Sequence, residues 1–249
     1  MTFNIRHGEG SDGVLDLERI AMVIESANAD IVGLQEVDRH FGARSDWQDQ
    51  AARLAEILDL DLAYGVNVDL VPPTPGGRRA QFGTALLSRH PITCWDNTHL
   101  VCSPGEEQRG LLHAQIAVDG VVLHVYNTHL DAFSEPDRAQ QAKQVVELVG
   151  DTRPAVLLGD FNAAPLTSEI ATLRAGFTDA WTASGSGEIP TFPAAAPDVC
   201  IDYVFAGPGV EPVWTGVVTR DLLASDHVPV LSRLAVVAPV GEQPLARGA

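Results

Sequence analysis

The chain has one lysine, Lys143, so its cationic side chains are otherwise arginines. Sixteen basic residues (16) stand against 33 acidic ones, a formal charge of -17. That balance argues against a non-specific nucleic-acid binder, which needs lysines and arginines to neutralise phosphates and release counterions. It leaves a small phosphorylated substrate open, because a few arginines converging on one pocket can outweigh distant surface charge. Cysteine is also scarce. Cys94, Cys102 and Cys200 show no CxxC spacing, and their odd number excludes a complete disulfide framework. A reduced chain in the cytoplasm is the expectation. No window approaches the roughly 18 apolar residues of a membrane-spanning helix, and no basic segment followed by an apolar run opens the chain. Met1 stands so close to the polar strand residue Asn4 that an upstream targeting segment is left open. Three catalytic signatures are missing: the Gly-x-Ser-x-Gly elbow of acyl enzymes, the phosphate loop of nucleoside triphosphatases, and the HExxH zinc motif.

What is present suits a folded globular protein. Hydrophobic residues make up 45% and charged residues 20% of 249 residues, enough for a sizeable core. No linker divides the chain, so one large α/β domain over residues 1–237 is expected, with a frayed tail over 238–249. Periodicity predicts helices over Asp16–Ala29, Asp46–Leu58, Glu135–Val149 and Thr167–Leu173. Apolar, β-branched runs predict strands at Thr2–Ile5, Ile31–Val37, Leu62–Val68 and Val156–Leu158, and later at Ile201–Phe205 and Val228–Val237. The runs Phe82–Ser88, Ile92–His99, Leu111–Val118 and Val121–Asn127 read as antiparallel neighbours. Val71–Arg79 and Thr182–Asp198, rich in Gly, Pro and Ser, are the long loops.

Six of these strands end in acids, amides or imidazoles. Asn4, Glu36, Asn127 with His129, Asp160 with Asn162, Asp202, and Asp226 with His227 all stand at such ends. Taken singly, each is as well explained by a turn, a bulge or a hydrogen-bonded structural histidine. Together they point to one polar site at one end of a sheet system, built from distant parts of the chain. Carboxylates and amides without thiolates favour a hard divalent ion, Mg²⁺ or Mn²⁺.

The motifs Thr2-Phe3-Asn4-Ile5-Arg6-His7-Gly8, Gly33-Leu34-Gln35-Glu36-Val37, Gly83-Thr84-Ala85-Leu86-Leu87-Ser88-Arg89 and Arg109-Gly110 are followed by four more. These are Asn127-Thr128-His129-Leu130-Asp131, Gly159-Asp160-Phe161-Asn162, Ile201-Asp202-Tyr203-Val204 and Ser225-Asp226-His227. In this order they resemble the endonuclease/exonuclease/phosphatase superfamily. The resemblance implies a four-layer α/β sandwich, two packed mixed sheets flanked by helices, with the site at one edge.

It also implies roles. Glu36 would be the main ligand of Mg²⁺, for which Mn²⁺ could substitute, with Asn4 beside it and Asp226 assisting. Asp160 would activate water and Asn162 would hold the nucleophile or a phosphate oxygen. His227, oriented by Asp202, would stabilise the charge of the transition state, and His129 would neighbour the leaving oxygen. Arg109 would bind phosphate. Some nucleases of the family carry an acid where this chain has Arg6, which suggests a phosphate contact and a one-metal site. The expected function is a Mg²⁺-dependent hydrolase of phosphoester bonds, a phosphodiesterase or phosphatase acting on a small molecule or lipid headgroup. An endo- or exonuclease is the alternative within the enzyme class, disfavoured by the charge. A catalytically silent binding module is the alternative outside it. A monomer is expected. Asp160 is expected to have a depressed or near-normal pKa, and the two loops to select the substrate.

Overall fold

A computed structural model describes residues 1–72, 74–185 and 189–237; the expected tail over 238–249 lies outside the described residues. Twelve β-strands are β1 Thr2–Asn4, β2 Ile31–Arg39, β3 Asp61–Leu70, β4 Ala80–Ser88, β5 Ile92–His99, β6 Gly110–Val118, β7 Val121–His129, β8 Ala155–Asp160, β9 Thr178–Asp179, β10 Asp202–Ala206, β11 Val210–Val217 and β12 Val230–Val236. The helices are α1 Leu17–Ala27, α2 Gln50–Leu58, α3 Glu135–Val149, α4 Ser168–Gly176 and α5 Ala180–Ser184. One six-stranded sheet has the order β11-β12-β1-β2-β4-β3, the other β5-β6-β7-β8-β10-β9. Each contains one parallel pair, β1 with β2 and β7 with β8, among antiparallel ones. Both sheets are therefore mixed, as expected.

The helices form where side chains can satisfy their free ends. Asp16 accepts from the Arg19 amide at the start of α1, and Asn28 ends it in a left-handed conformation. Asp49 does the same for α2 through the Ala52 amide. The sequence pattern places the start of α2 earlier, at Asp46, but Asp46 and Trp47 have φ of 50° and 57°, which a helix cannot absorb. Leu17, Ile20, Ala21 and Ile24 of α1 pack with Ala51 and Leu54 of α2 over Val32, Leu34 and Leu87 of the first sheet. Ala142 and Val145 of α3, with Ile170 and Leu173 of α4, join the larger core that includes the second sheet.

Further features depart from the sequence reading: β9 was not expected, and α5 runs into the expected loop Thr182–Asp198. β4 and β5 are not neighbours: the chain crosses from one sheet to the other between them, and β5, β6 and β7 form the antiparallel meander. β11 is an additional edge strand, unreadable in sequence because Pro212 and a register shift between Pro212 and Trp214 interrupt its pattern. Proline is tolerated there because an edge strand leaves one row of amides unpaired.

Contact between the sheets includes polar bonds, and one set lies beneath the site. Asn127, fully buried on β7, donates to the Leu34 carbonyl at 2.9 Å and the Ala85 carbonyl at 2.8 Å in the opposite sheet. Its oxygen accepts from the Gln35 amide at 2.7 Å. Asn127 thus clamps the layers beneath the site.

Candidate active site

Strand register assembles the centre. Asp160 ends β8 level with His129 on parallel β7 and with Asp202 on antiparallel β10. β8 approaches β7 closely at Gly159, whose φ is 153° and whose missing Cβ would lie 2.1 Å from the Thr128 carbonyl oxygen. Only glycine fits there. Past the strand, Asn162 adopts φ of 48°, and its backbone amide donates to Asp160 Oδ1 at 2.9 Å. Its side-chain amide faces His129 Nε2 at 2.9 Å and donates to the Leu130 carbonyl at 3.0 Å.

From the first sheet, β1 and β2 bring Asn4 and Glu36. The β2–β4 pairing shifts register between Leu34 and Val37, and Glu36 sits in that bulge with φ of 57°. The bulge turns Glu36 out of strand alternation. Asn4, fully buried, donates from one amide nitrogen to Glu36 Oε1 and Asp160 Oδ2, each at 3.0 Å. Its oxygen accepts from the Arg6 backbone amide at 3.0 Å. Asn4 therefore spaces two carboxylates from different sheets.

His227 arrives on the loop before β12. Its Nδ1 lies 2.9 Å from Asp202 Oδ2, and its Nε2 lies 3.7 Å from Asp160 Oδ2. His129 Nε2 lies 3.4 Å from the same Asp160 oxygen. Phe192 packs its ring 4.9 Å from that of His227, so the second long loop touches the site. Ser225 fixes the His227 loop: its hydroxyl bonds the Asn4 carbonyl at 2.7 Å and accepts from the His227 amide at 3.3 Å.

Burial and charge divide the two imidazoles. Burial lowers His129 well below the ordinary range, and Arg109 and His227 add to the effect. Burial also opposes charge on His227, but the Asp202 and Asp160 carboxylates outweigh it and push the ring up to about 10. Asp160 lies above the depressed or near-normal range expected with a cation beside it. Burial, reinforced by Asp202, pushes it up to about 7, against the pull of His227 and the bonds from Asn4 and Asn162.

The remaining expected residues divide in two. Arg109 is only 6% exposed, 3.0 Å from Glu107, with its Nε lacking a hydrogen-bond partner among the described residues. Its ion pair with Glu107 is therefore buried on the arginine side. Arg6 lies 3.7 Å from Asp226 and 3.6 Å from Glu9, so it stands among carboxylates at the rim. Asp226 faces Arg6 and the Ser225 hydroxyl. Asp160, Asp202 and His227 each offer a ligand atom within 4.8 Å of the others, a second group able to hold an ion.

Sequence reasoning assigned no role to Ser225 or to Arg44. Arg44 grips buried Asp38 through Nε at 2.9 Å and Nη2 at 2.8 Å and stacks over Phe41, and its pKa is raised by the Asp38 bond and by the Asp38, Glu36 and Glu107 charges. No local motif marks it. Ser225 was visible only as part of Ser225-Asp226-His227. A cavity of about 500 Å³ is lined by Met1, Leu123, Val156 and Leu231 among others, and by none of these site residues.

Comparisons with known proteins bear on the family and the fold. The model of the Endonuclease/Exonuclease/phosphatase family matches residues 1–227. An endonuclease/exonuclease/phosphatase from Beutenbergia cavernae DSM 12333 is similar over 95% of this chain and 70% of its own, at 29% identity and a TM-score of 0.82. Two more distant structures share the fold. The mannosyl-6-phosphatase of Bacteroides thetaiotaomicron VPI-5482 has 20% identity and a TM-score of 0.76, over 94% of this chain and 98% of that one. Truncated TDP2 of Caenorhabditis elegans has 23% identity and a TM-score of 0.64, over 92% and 94%. No curated protein matches. With eight motifs in family order and a family match spanning both sheets up to His227, the chain belongs to the endonuclease/exonuclease/phosphatase family.

Proposed function

We propose that the chain is a divalent-metal-dependent hydrolase of a small or lipid-derived phosphoester. The observation that carries this reading is the set of groups around one carboxylate. Asn4, His129, His227 and Asn162 all address Asp160, and Asn4 couples it to Glu36. Members of the family are hydrolases acting on phosphoester bonds. Phosphoryl transfer depends on positioning and charge neutralisation more than on covalent catalysis, and these residue types supply both.

Glu36 fits a hard cation. It is a half-buried carboxylate turned out of its strand toward Asn4, and none of the contacts around it comes from a thiolate. Mg²⁺ there, or Mn²⁺ in its place, would act as a Lewis acid on a phosphoryl oxygen and offset its charge. The Asp160, Asp202 and His227 group is assigned to chemistry instead, because the Asp202 oxygen nearest the ring is taken by the His227 bond.

The protein's own groups then divide the work. Asp160 takes the proton of the attacking water, and Asn162, beside His129, holds that water or a phosphate oxygen. His227, kept cationic by Asp202, neutralises charge growing on phosphorus-bound oxygens. His129, held neutral, neighbours the leaving oxygen. Arg109 offers a planar, largely desolvated fork to phosphate, and Arg6 adds a cation at the rim. The mannosyl-6-phosphatase on the same fold supports a small phosphorylated substrate as one member of the class.

Hydrolysis of bis(4-nitrophenyl) phosphate and 4-nitrophenyl phosphate tests the reading. Turnover should need Mg²⁺ and stop with chelator, and Asp160→Asn and His227→Ala should each lower kcat by on the order of 10² or more. Chelator-resistant turnover, or near-wild-type kcat in either variant with its fold intact, would overturn it.

A further inference from the structure

Two large apolar side chains stand almost wholly in solvent in the loops that follow the site-bearing strands β7 and β8. Leu166 is 98% exposed and Phe133 is 91% exposed; every other exposed large hydrophobic among the described residues is more covered. Scattered exposed leucines need no explanation, but the placement of these two does. Each directly precedes a helix N-cap, Ser134 for α3 and Thr167 for α4. An apolar residue there ordinarily folds back onto the first turn as a staple, and here neither does.

The two helix starts that these residues precede are linked. Arg138 of α3 donates to buried Glu169 of α4 at 3.0 Å, tying the two helix starts together. Both loops leave strands that carry site residues: Phe133 follows His129, and Leu166 follows Asn162. Both are also pinned. Buried Asp131 accepts from the Phe133 amide at 2.8 Å, and Arg174 donates to the Pro165 carbonyl at 2.6 Å. A third loop, the one before Ser225 and His227, exposes Leu223 by 51%.

We infer that Phe133 and Leu166 seat the mouth of the site on an uncharged or zwitterionic lipid surface, so that the phosphoester hydrolysed is one presented by lipid. This rests on the hydrolase reading for its substrate but not for its docking. The occupant follows from charge. Neither Leu130–Ser134 nor Ala163–Thr167 contains a cation, and the arginines that reach their carbonyls, Arg138 and Arg174, are paired with Glu169 and Asp179. Glu135 follows the first segment and the chain carries a formal charge of -17, so an anionic surface or polyanion would be repelled. No helix among the described residues is long and apolar enough to cross a membrane, so the association is peripheral, through side chains that enter the interface.

Cosedimentation of the full chain with phosphatidylcholine vesicles tests the docking directly. The wild type should bind them, and bind more weakly to vesicles enriched in phosphatidylserine. A Phe133→Ser and Leu166→Ser double variant should lose about ten-fold or more in partitioning, the scale of withdrawing two apolar side chains from an apolar phase. Its turnover of soluble bis(4-nitrophenyl) phosphate should stay at the wild-type level. No wild-type binding, or equal binding by the double variant, would overturn the inference. Self-association that the double variant abolishes, without vesicle binding, would overturn it in favour of a second copy of the chain. Vesicle binding is read without turnover, so failure of the hydrolase reading would show separately, as no hydrolysis of any soluble phosphoester.

Discussion

Replacing Glu36 by glycine and, separately, by alanine isolates the backbone that presents this carboxylate. Both variants lose the side chain and its bond from Asn4, so the difference between them reports conformation alone. In a regular strand glycine would be the weaker choice by about 0.5–1 kcal/mol, because it loses more freedom on folding. Glu36, however, has φ of 57° in a bulge. A left-handed residue with a Cβ costs about 1–2 kcal/mol, which glycine escapes. Setting the relief against the entropy leaves Glu36→Gly more stable than Glu36→Ala by about 0.5–1 kcal/mol. For a chain of this size that is about 1–4 °C in Tm. Urea denaturation of the two metal-free proteins measures it, and both should be inactive. An alanine variant as stable as the glycine variant would mean that the bulge is unstrained, and that Glu36 is not held at the site by backbone geometry.

Other outcomes follow from the same contacts. Asn127→Ala leaves the Leu34 and Ala85 carbonyls without their side-chain donor and removes an acceptor from Gln35, so urea denaturation should show a loss of about 3 kcal/mol; a loss below about 1 kcal/mol would deny the clamp. In metal-free protein followed by NMR, burial disfavours the His227 cation, yet Asp202 and Asp160 hold its titration at about 10, and Asp202→Asn should move it back toward the ordinary imidazole range. Because the folded value exceeds the unfolded one, the pair stabilises the fold fully below about 6.5 and loses that contribution as pH rises through about 10. An unmoved resonance in Asp202→Asn would remove Asp202 as the partner. Arg109→Lys keeps the charge and loses the fork, so KM should rise about ten-fold; wild-type kinetics would return Arg109 to a structural ion pair with Glu107.

The strands that carry the site were legible because their apolar runs are short, β-branched and closed by polar residues, as at Val156-Leu157-Leu158-Gly159-Asp160. Alternation in an extended chain excluded adjacent Asp226 as the partner of His227, and the family resemblance supplied Asp202. The resemblance to the family supplied the sandwich and the roles, which periodicity alone did not reach. What escaped the sequence depends on space. Asn127 and His129 share a motif, yet one bonds across the sheets and the other faces Asp160, a difference set by how far along β7 the second layer reaches. The raised Asp160 value arises from burial and a carboxylate on another strand, neither of which adjacent residues encode. Arg44 sits in the short turn between β2 and α2, and only folding brings its charge near Glu36. β11 was hidden by Pro212 in an edge strand.

The division of labour between Glu36 and the Asp160, Asp202 and His227 group is the centre of the account. Mg²⁺ calorimetry on the wild type, Glu36→Gln and Asp202→Asn measures it without any substrate. The account predicts binding by the wild type, loss in Glu36→Gln and retention in Asp202→Asn. Retention in Glu36→Gln with loss in Asp202→Asn would put the ion among Asp160, Asp202 and His227 and contradict the account.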